Sequence, residues 1–311
     1  MNQDLSQSTH TLPADHAERM RRVLLSLDGL SVGDGFGECF FVSTHTIERR
    51  LELRELPKAP WTFTDDTTMA LSIVRCLQRN GFIDQDKLAA AFVEEYARNP
   101  NRGYGGMARH ILSAIRAGDS WKEASRRAFK GEGSMGNGGA MRSAPLGAYF
   151  ADDIDRLVYE AKCSAEVTHA HPDGKTGAVA IALSAAWMWQ NRHNSKEPSY
   201  DVIDFVLTHI PRTETYHELL KAFDLPFEAK PQIAARILGN GSRVIASDTV
   251  PFCIWCAARH AHSYTDALWA TVSGLGDRDT TCAIVGGIVA LSAGRESIPP
   301  EWLNAREPLE V

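Results

Sequence analysis

Apolar residues recur at three- and four-residue spacing along nearly the whole chain. No stretch sustains the every-second-residue alternation of a half-buried strand; Trp187-Met188-Trp189 alternates briefly, inside a helical pattern. The spacing predicts helices over about 15–27, from Thr64 onward (Met69, Ile73, Val74, Leu77), and over 84–96, 107–115, 120–129, 152–167, 175–190, 199–209, 214–223, 230–238, 250–262, 265–273 and 279–291. Local signals agree with these bounds. Ser120 to Glu123 has capping-box form, Asn99-Pro100 stops one helix, Gly239-Asn240-Gly241 reads as an αL-type stop, and Pro251 suits a first turn. No Pro/Ser-rich or low-complexity linker interrupts the pattern. An all-α, compact single domain over residues 15–311 is expected, preceded by a flexible polar tail over 1–14.

Composition removes several function classes. The net charge of −6 argues against a nucleic-acid partner, which calls for basic clusters. No apolar run is long enough to span a membrane, and the N-terminus lacks a basic-then-apolar leader. The six cysteines are scattered among apolar neighbours, as reduced thiols in a cytoplasmic protein would be. Cys253 and Cys256 share one side of a helix without a second Cys pair or a βαβ context, so core packing is expected of them.

Two oxygen-rich knots each open a helix: Thr64-Asp65-Asp66-Thr67 and, far along the chain, Asp277-Arg278-Asp279-Thr280. Free N–H groups and the helix dipole favour acidic residues there by ~0.3–1 kcal/mol each when exposed. A plain N-cap therefore accounts for one such pair. It does not account for the same chemistry twice. Adjacent carboxylates repel, and folds that gather them neutralise them with a cation. Successive helical residues point ~100° apart, so Asp65 and Asp66 diverge and can serve two neighbouring ions. An all-oxygen donor set suits Mg²⁺ or Mn²⁺ and suits Zn²⁺ poorly.

Other segments carry chemistry more weakly. Gly131 to Gly139 is the most glycine-dense stretch, and such turns expose backbone N–H groups that bind phosphate oxygens. His169 and His171 flank a loop ending at Pro172. Arg102 and Tyr104 lie in a glycine-bounded loop, where they either clamp a nucleotide or pack. Asp34 and Glu38 stand four residues apart among Gly33, Gly35 and Gly37, on one face if that stretch is helical.

Five motifs in order resemble the ADP-ribosylglycohydrolase family: Gly33-Asp34-Gly35-Phe36-Gly37, Thr64-Asp65-Asp66-Thr67, Gly136-Asn137-Gly138-Gly139-Ala140-Met141-Arg142, Thr168-His169 and Asp277-Arg278-Asp279-Thr280. The resemblance runs from about residue 20 to 295. It implies the family's all-α orthogonal helix bundle and two Mg²⁺ ions (or Mn²⁺) held by Thr64, Asp65, Asp66, Asp277, Asp279 and Thr280. It also implies an ADP-ribose diphosphate set against Ser134, Gly136, Asn137, Gly138 and Gly139, with His169 as a further contact. The family's late motif more usually reads Gly-Asp-Thr-Asp-Thr. Arg278 in place of the middle threonine adds a positive charge beside the site, for a carboxylate or for a substrate phosphate.

The activity implied is Mg²⁺-dependent removal of ADP-ribose from modified protein side chains, arginine first. Water would be aimed at the anomeric carbon through an oxocarbenium-like transition state. Asp65 or Asp66 would act as base, and Glu38 would gate or protonate the leaving group. Three alternatives stand beside it. The chain could be an immunity or binding protein that grips an ADP-ribosyltransferase. It could cleave another linkage (serine, a nucleobase, O-acetyl-ADP-ribose). It could be a phosphohydrolase that releases AMP.

Overall fold

The computed structural model describes residues 12–194, 199–226 and 228–310. Sixteen α-helices follow one another in it: α1 (His16–Glu38), α2 (Thr44–Leu53), α3 (Asp65–Asn80), α4 (Gln85–Arg98), α5 (Gly106–Arg116), α6 (Trp121–Arg127), α7 (Ala144–Tyr149), α8 (Ile154–Glu166), α9 (Pro172–Gln190), α10 (Asp201–His209), α11 (Glu214–Leu220), α12 (Pro231–Leu238), α13 (Ala246–Arg259), α14 (Tyr264–Ser273), α15 (Arg278–Ala293) and α16 (Pro300–Ala305). Among the described residues there is no strand, only isolated bridges between Trp61 and Arg306 and between Gly136 and Ile245. The all-α architecture expected from the spacing is the one observed. No helix among the described residues is long and apolar enough to cross a membrane.

The pairing of α1 with α15 organises the molecule. A Cβ on Gly29, Gly33 or Gly37 would stand 2.3, 2.1 or 2.1 Å from the carbonyl oxygens of Gly286, Cys282 and Arg278. The register runs in opposite directions along the two chains, so the helices are antiparallel. Their backbones touch along a seam that only glycine permits. Ser26 Oγ donates to Gly287 O at 2.8 Å, and Tyr264 Oη donates to Gly29 O at 2.6 Å across the same contact. The seam explains why α1 continues unbroken from His16 to Glu38, where the spacing predicts a helix only to residue 27. Glycine costs helix stability alone, and here close packing offsets that cost.

Other departures have local causes. Helix α9 begins at Pro172, because the His171 ring caps it by accepting from the Asp173 N–H. Helix α13 begins at Ala246, so Pro251 lies in its second turn rather than its first. Gly239 has φ 89° and ψ 169°, a positive φ but an extended ψ, so the stop is not an αL cap. Ser120 starts α6 without a side-chain cap. Helices α2, α7 and α16 have no counterpart in the spacing: only Ile47 of α2 and Trp302 of α16 are buried, too few to mark a period, whereas α7 is buried along its whole length and has no polar face to set one. Residues 1–11 of the expected tail lie outside the described residues, while Leu12 and Pro13 rest against Gly81. Cys253 and Cys256 are fully buried, as expected of core residues, and all six cysteines are free thiols.

Candidate active site

The glycine seam sets the N-terminus of α15 beside the C-terminal end of α1. Asp34, one turn before that end, brings in a third helix. Its carboxylate accepts from Thr64 N (3.0 Å to each oxygen), Thr64 Oγ1 (3.0 Å), Thr67 N (3.0 Å) and Thr67 Oγ1 (2.6 Å). Asp34 is fully buried and thereby takes up free N–H groups at the start of α3. Burial pushes its carboxyl up to about 6 against the pull of those hydrogen bonds.

The two acidic knots therefore meet. Thr64 is the N-cap of α3, with its Oγ1 accepting from Asp66 N and lying 2.9 Å from Asp66 Oδ2. Thr280 Oγ1 reaches the same Asp66 oxygen from α15 at 3.5 Å, the outer limit of a hydrogen bond. Asp66 Oδ1 and Asp279 Oδ1 are buried with no hydrogen-bond partner among the described residues. Burial, and then the neighbouring carboxylates, raise Asp66 and Asp279 well above the usual range. Asp65 is raised to about 7 by burial and by Asp34 and Asp277. Asp277 is raised by burial, partly opposed by hydrogen bonds to Asn137, Asp279 and Thr280. Glu38 ends α1 at the rim, where partial covering and the charges of Asp34 and Asp277 raise its carboxyl.

Paired oxygens with no partner and mutually repelling carboxylates fit a hard divalent cation. One observation points the other way. Among the described residues, no three Asp, Glu, His or Cys side chains converge closely enough to cage an ion on their own. Threonine oxygens complete each knot, so the donor chemistry fits Mg²⁺ even though the carboxylates alone do not close around it.

The glycine turn lies against the late knot and His169. Asn137 is buried, and its amide donates to Asp277 Oδ2 at 2.8 Å and to Thr249 Oγ1 at 3.1 Å. It thus holds a carboxylate. Ser134 Oγ accepts from Gly136 N at 3.1 Å. A Cβ on Gly136 or Gly138 would lie 3.1 or 3.0 Å from the His169 ring, and one on Gly139 would lie 3.2 Å from Gly174 O. Burial, and then Arg142, lower His169 to about 3, so its ring is neutral.

The remaining expected contacts are placed as follows. Arg102 forms a bidentate ion pair with Glu307 (2.6 and 2.5 Å), donates to Phe63 O at 2.8 Å and stacks on the Phe63 ring. Tyr104 is buried edge-on to Tyr96, and its buried hydroxyl has no hydrogen-bond partner among the described residues. Among the described residues Arg278 pairs with no carboxylate: it donates to Phe40 O at 2.5 Å and to Gly276 O at 3.2 Å, and stacks on Phe41. Two neighbours went unassigned in the sequence. Arg142 is fully buried, and a charged residue in the apolar run from Ala140 to Leu146 was the signal available. Glu307 gave no signal.

Comparison with known proteins adds the family. The model of the ADP-ribosylglycohydrolase family matches residues 15–310. The chain is 28% identical to "ADP-ribosylhydrolase ARH3" of Bos taurus, over 96% of this chain and 92% of that one, and 27% identical to the Homo sapiens protein of that name, over 94% and 91%. A solved structure titled "ADP-ribosylglycohydrolase-related protein complex" shares the fold, with a TM-score of 0.66 at 23% identity over 94% of both chains.

Proposed function

This chain belongs to the ADP-ribosylglycohydrolase family and is an ADP-ribosyl hydrolase; we propose that it works with two Mg²⁺ ions on proteins modified at arginine. The observation that carries this is the meeting of the two acidic helix starts at Thr280 and Asp66, with a partnerless buried oxygen on Asp66 and on Asp279. Thr64, Asp65 and Asp66 would hold one side of the metal pair, and Asp277, Asp279 and Thr280 the other. Held by these residues, Mg²⁺ would supply neutralising charge and the Lewis acidity that polarises ribose oxygens and acidifies water.

The protein's own groups do the rest. The N–H groups of Gly138 and Gly139 and the side chain of Ser134 receive the diphosphate, with Gly136 N–H holding Ser134 Oγ in place. His169 contacts the same ligand. Asp65 and Asp66 stabilise positive charge developing at the anomeric carbon, and whichever carboxylate oxygen is left uncommitted takes the proton from water. Glu38 at the rim donates a proton to the leaving side chain. An arginine linkage suits this site because the departing guanidinium is cationic and Glu38 and Asp277 place carboxyl groups toward the rim.

The test is a panel of arginine- and serine-linked ADP-ribosyl proteins given with Mg²⁺ to the natural enzyme and to Asp65→Asn, Asp66→Asn and Asp279→Asn. Faster release from arginine, and loss of release in the variants, is expected. Faster release from serine would overturn the linkage. Full activity in all three variants would overturn the metal site.

A further inference from the structure

The fully buried Arg142 guanidinium lies behind the glycine turn and has no carboxylate within ion-pair distance among the described residues. Leaving such a charge unpaired is expensive. What it does touch is specific. Its Nη2 donates to Thr168 Oγ1 at 2.9 Å and to Ser164 O at 3.2 Å, and its plane stacks on Phe92 at 4.4 Å. Thr168 Oγ1 in turn lies 2.7 Å from His169 Nδ1.

A hydroxyl has one proton to give. Arg142 can only donate, so Thr168 accepts from it and gives its own proton to Nδ1. The Nδ1 atom is then an acceptor, and the proton of the neutral ring sits on Nε2. That nitrogen lies on the glycine turn, 3.1 Å from where a Cβ on Gly136 would stand. We infer that Arg142 and Thr168 are positioning residues that fix His169 as an Nε2–H donor, aimed at an oxygen of the ligand held by the glycine turn. Asn137 and the acidic knots are not needed for this relay. The donor's use on a ligand rests on the function proposed above; the tautomer does not.

Long-range proton–nitrogen correlation on ring-labelled histidine reads the tautomer directly, with His169 assigned by its loss in His169→Asn. The natural protein is expected to show Nε2 protonated and Nδ1 bare. In Thr168→Val the ring loses its donor and the Nε2–H pattern is lost, while Thr168→Ser restores it. Arg142→Met frees Thr168 to accept, which moves the proton to Nδ1. ADP-ribose affinity, measured by calorimetry, should fall roughly ten-fold in Thr168→Val, the loss of about one hydrogen bond, and return in Thr168→Ser. A protonated Nδ1 in the natural protein, or an unchanged pattern in Thr168→Val, overturns the relay. Should Arg142→Met fail to fold, the threonine pair decides alone. A changed tautomer with unchanged ADP-ribose affinity overturns the ligand contact and leaves the hydrolase function standing. No ADP-ribose binding by the natural protein overturns that function, and the tautomer is still read.

Discussion

The amide of Asn137 donates to Asp277 Oδ2 at 2.8 Å, joining the glycine turn to the late acidic knot across 140 positions. The same amide holds Thr249 of α13, so one side chain ties three segments together. Ligand-orienting partners of this kind affect metal affinity roughly 10- to 100-fold when removed. Asn137→Ala is expected to weaken the half-saturating Mg²⁺ concentration for activity by about that factor. Asn137→Asp should do worse, because it sets a like charge against Asp277. Unchanged Mg²⁺ dependence in Asn137→Ala would remove this residue from the site.

The acidic cluster makes stability depend on pH and on metal in a fixed sense. Asp34 and Asp65 titrate near 3.8 when unfolded and near about 6 and about 7 when folded. The fold keeps protons that the unfolded chain releases. Their contribution to stability is therefore fully present below pH 4 and is lost as pH climbs through 4 to 7 in Mg²⁺-free protein. His169 opposes this: lowered from 6.5 to about 3, it costs stability as pH falls below 6.5. If Mg²⁺ binds the ionised carboxylates as proposed, it should raise Tm by several degrees at pH 8 and little at pH 5. Equal shifts at both pH values would count against the cluster as the binding site.

The glycine seam can be tested against an internal control. Gly33→Ala puts a methyl 2.1 Å from Cys282 O and must part α1 from α15. It is expected to cost about 3 kcal/mol or more and to reduce activity, since the seam sets the acidic helix starts beside each other. Gly105→Ala meets nothing within 4 Å and should lie within about 0.5 kcal/mol of the natural protein in urea unfolding.

Arg102, paired with Glu307, donates to the carbonyl of Phe63, immediately before Thr64. The pair is partly exposed, so Glu307→Ala should cost only about 1 kcal/mol of stability. Its larger effect should be a weaker Mg²⁺ dependence of activity, because the start of α3 loses its anchor. The double exchange Arg102→Glu with Glu307→Arg should recover part of both losses.

Helical spacing made the all-α fold legible, since buried faces such as Met69, Ile73, Val74 and Leu77 recur at that period. Both acidic helix starts were legible because capping and metal binding draw on the same few residue types. The glycine seam was only half legible. Gly33, Gly35 and Gly37 permit close packing or unusual dihedrals, and which of the two applies depends on a partner helix far along the chain. Asn137 has the same ambiguity: its motif reads as a phosphate turn, and its side chain turns inward to a carboxylate. Arg278 looked like a charge awaiting an anion, yet backbone carbonyls and Phe41 take it up. The Arg102–Glu307 pair depends on a chain crossing that no local pattern encodes.

A crystal structure with Mg²⁺ and ADP-ribose tests the central claim most directly. The expected result is two ions between Thr64-Asp65-Asp66 and Asp277-Asp279-Thr280, the distal ribose on them and the diphosphate on the Ser134–Gly139 turn. Ions bound elsewhere, or the diphosphate lying on the acidic knots, would contradict the account.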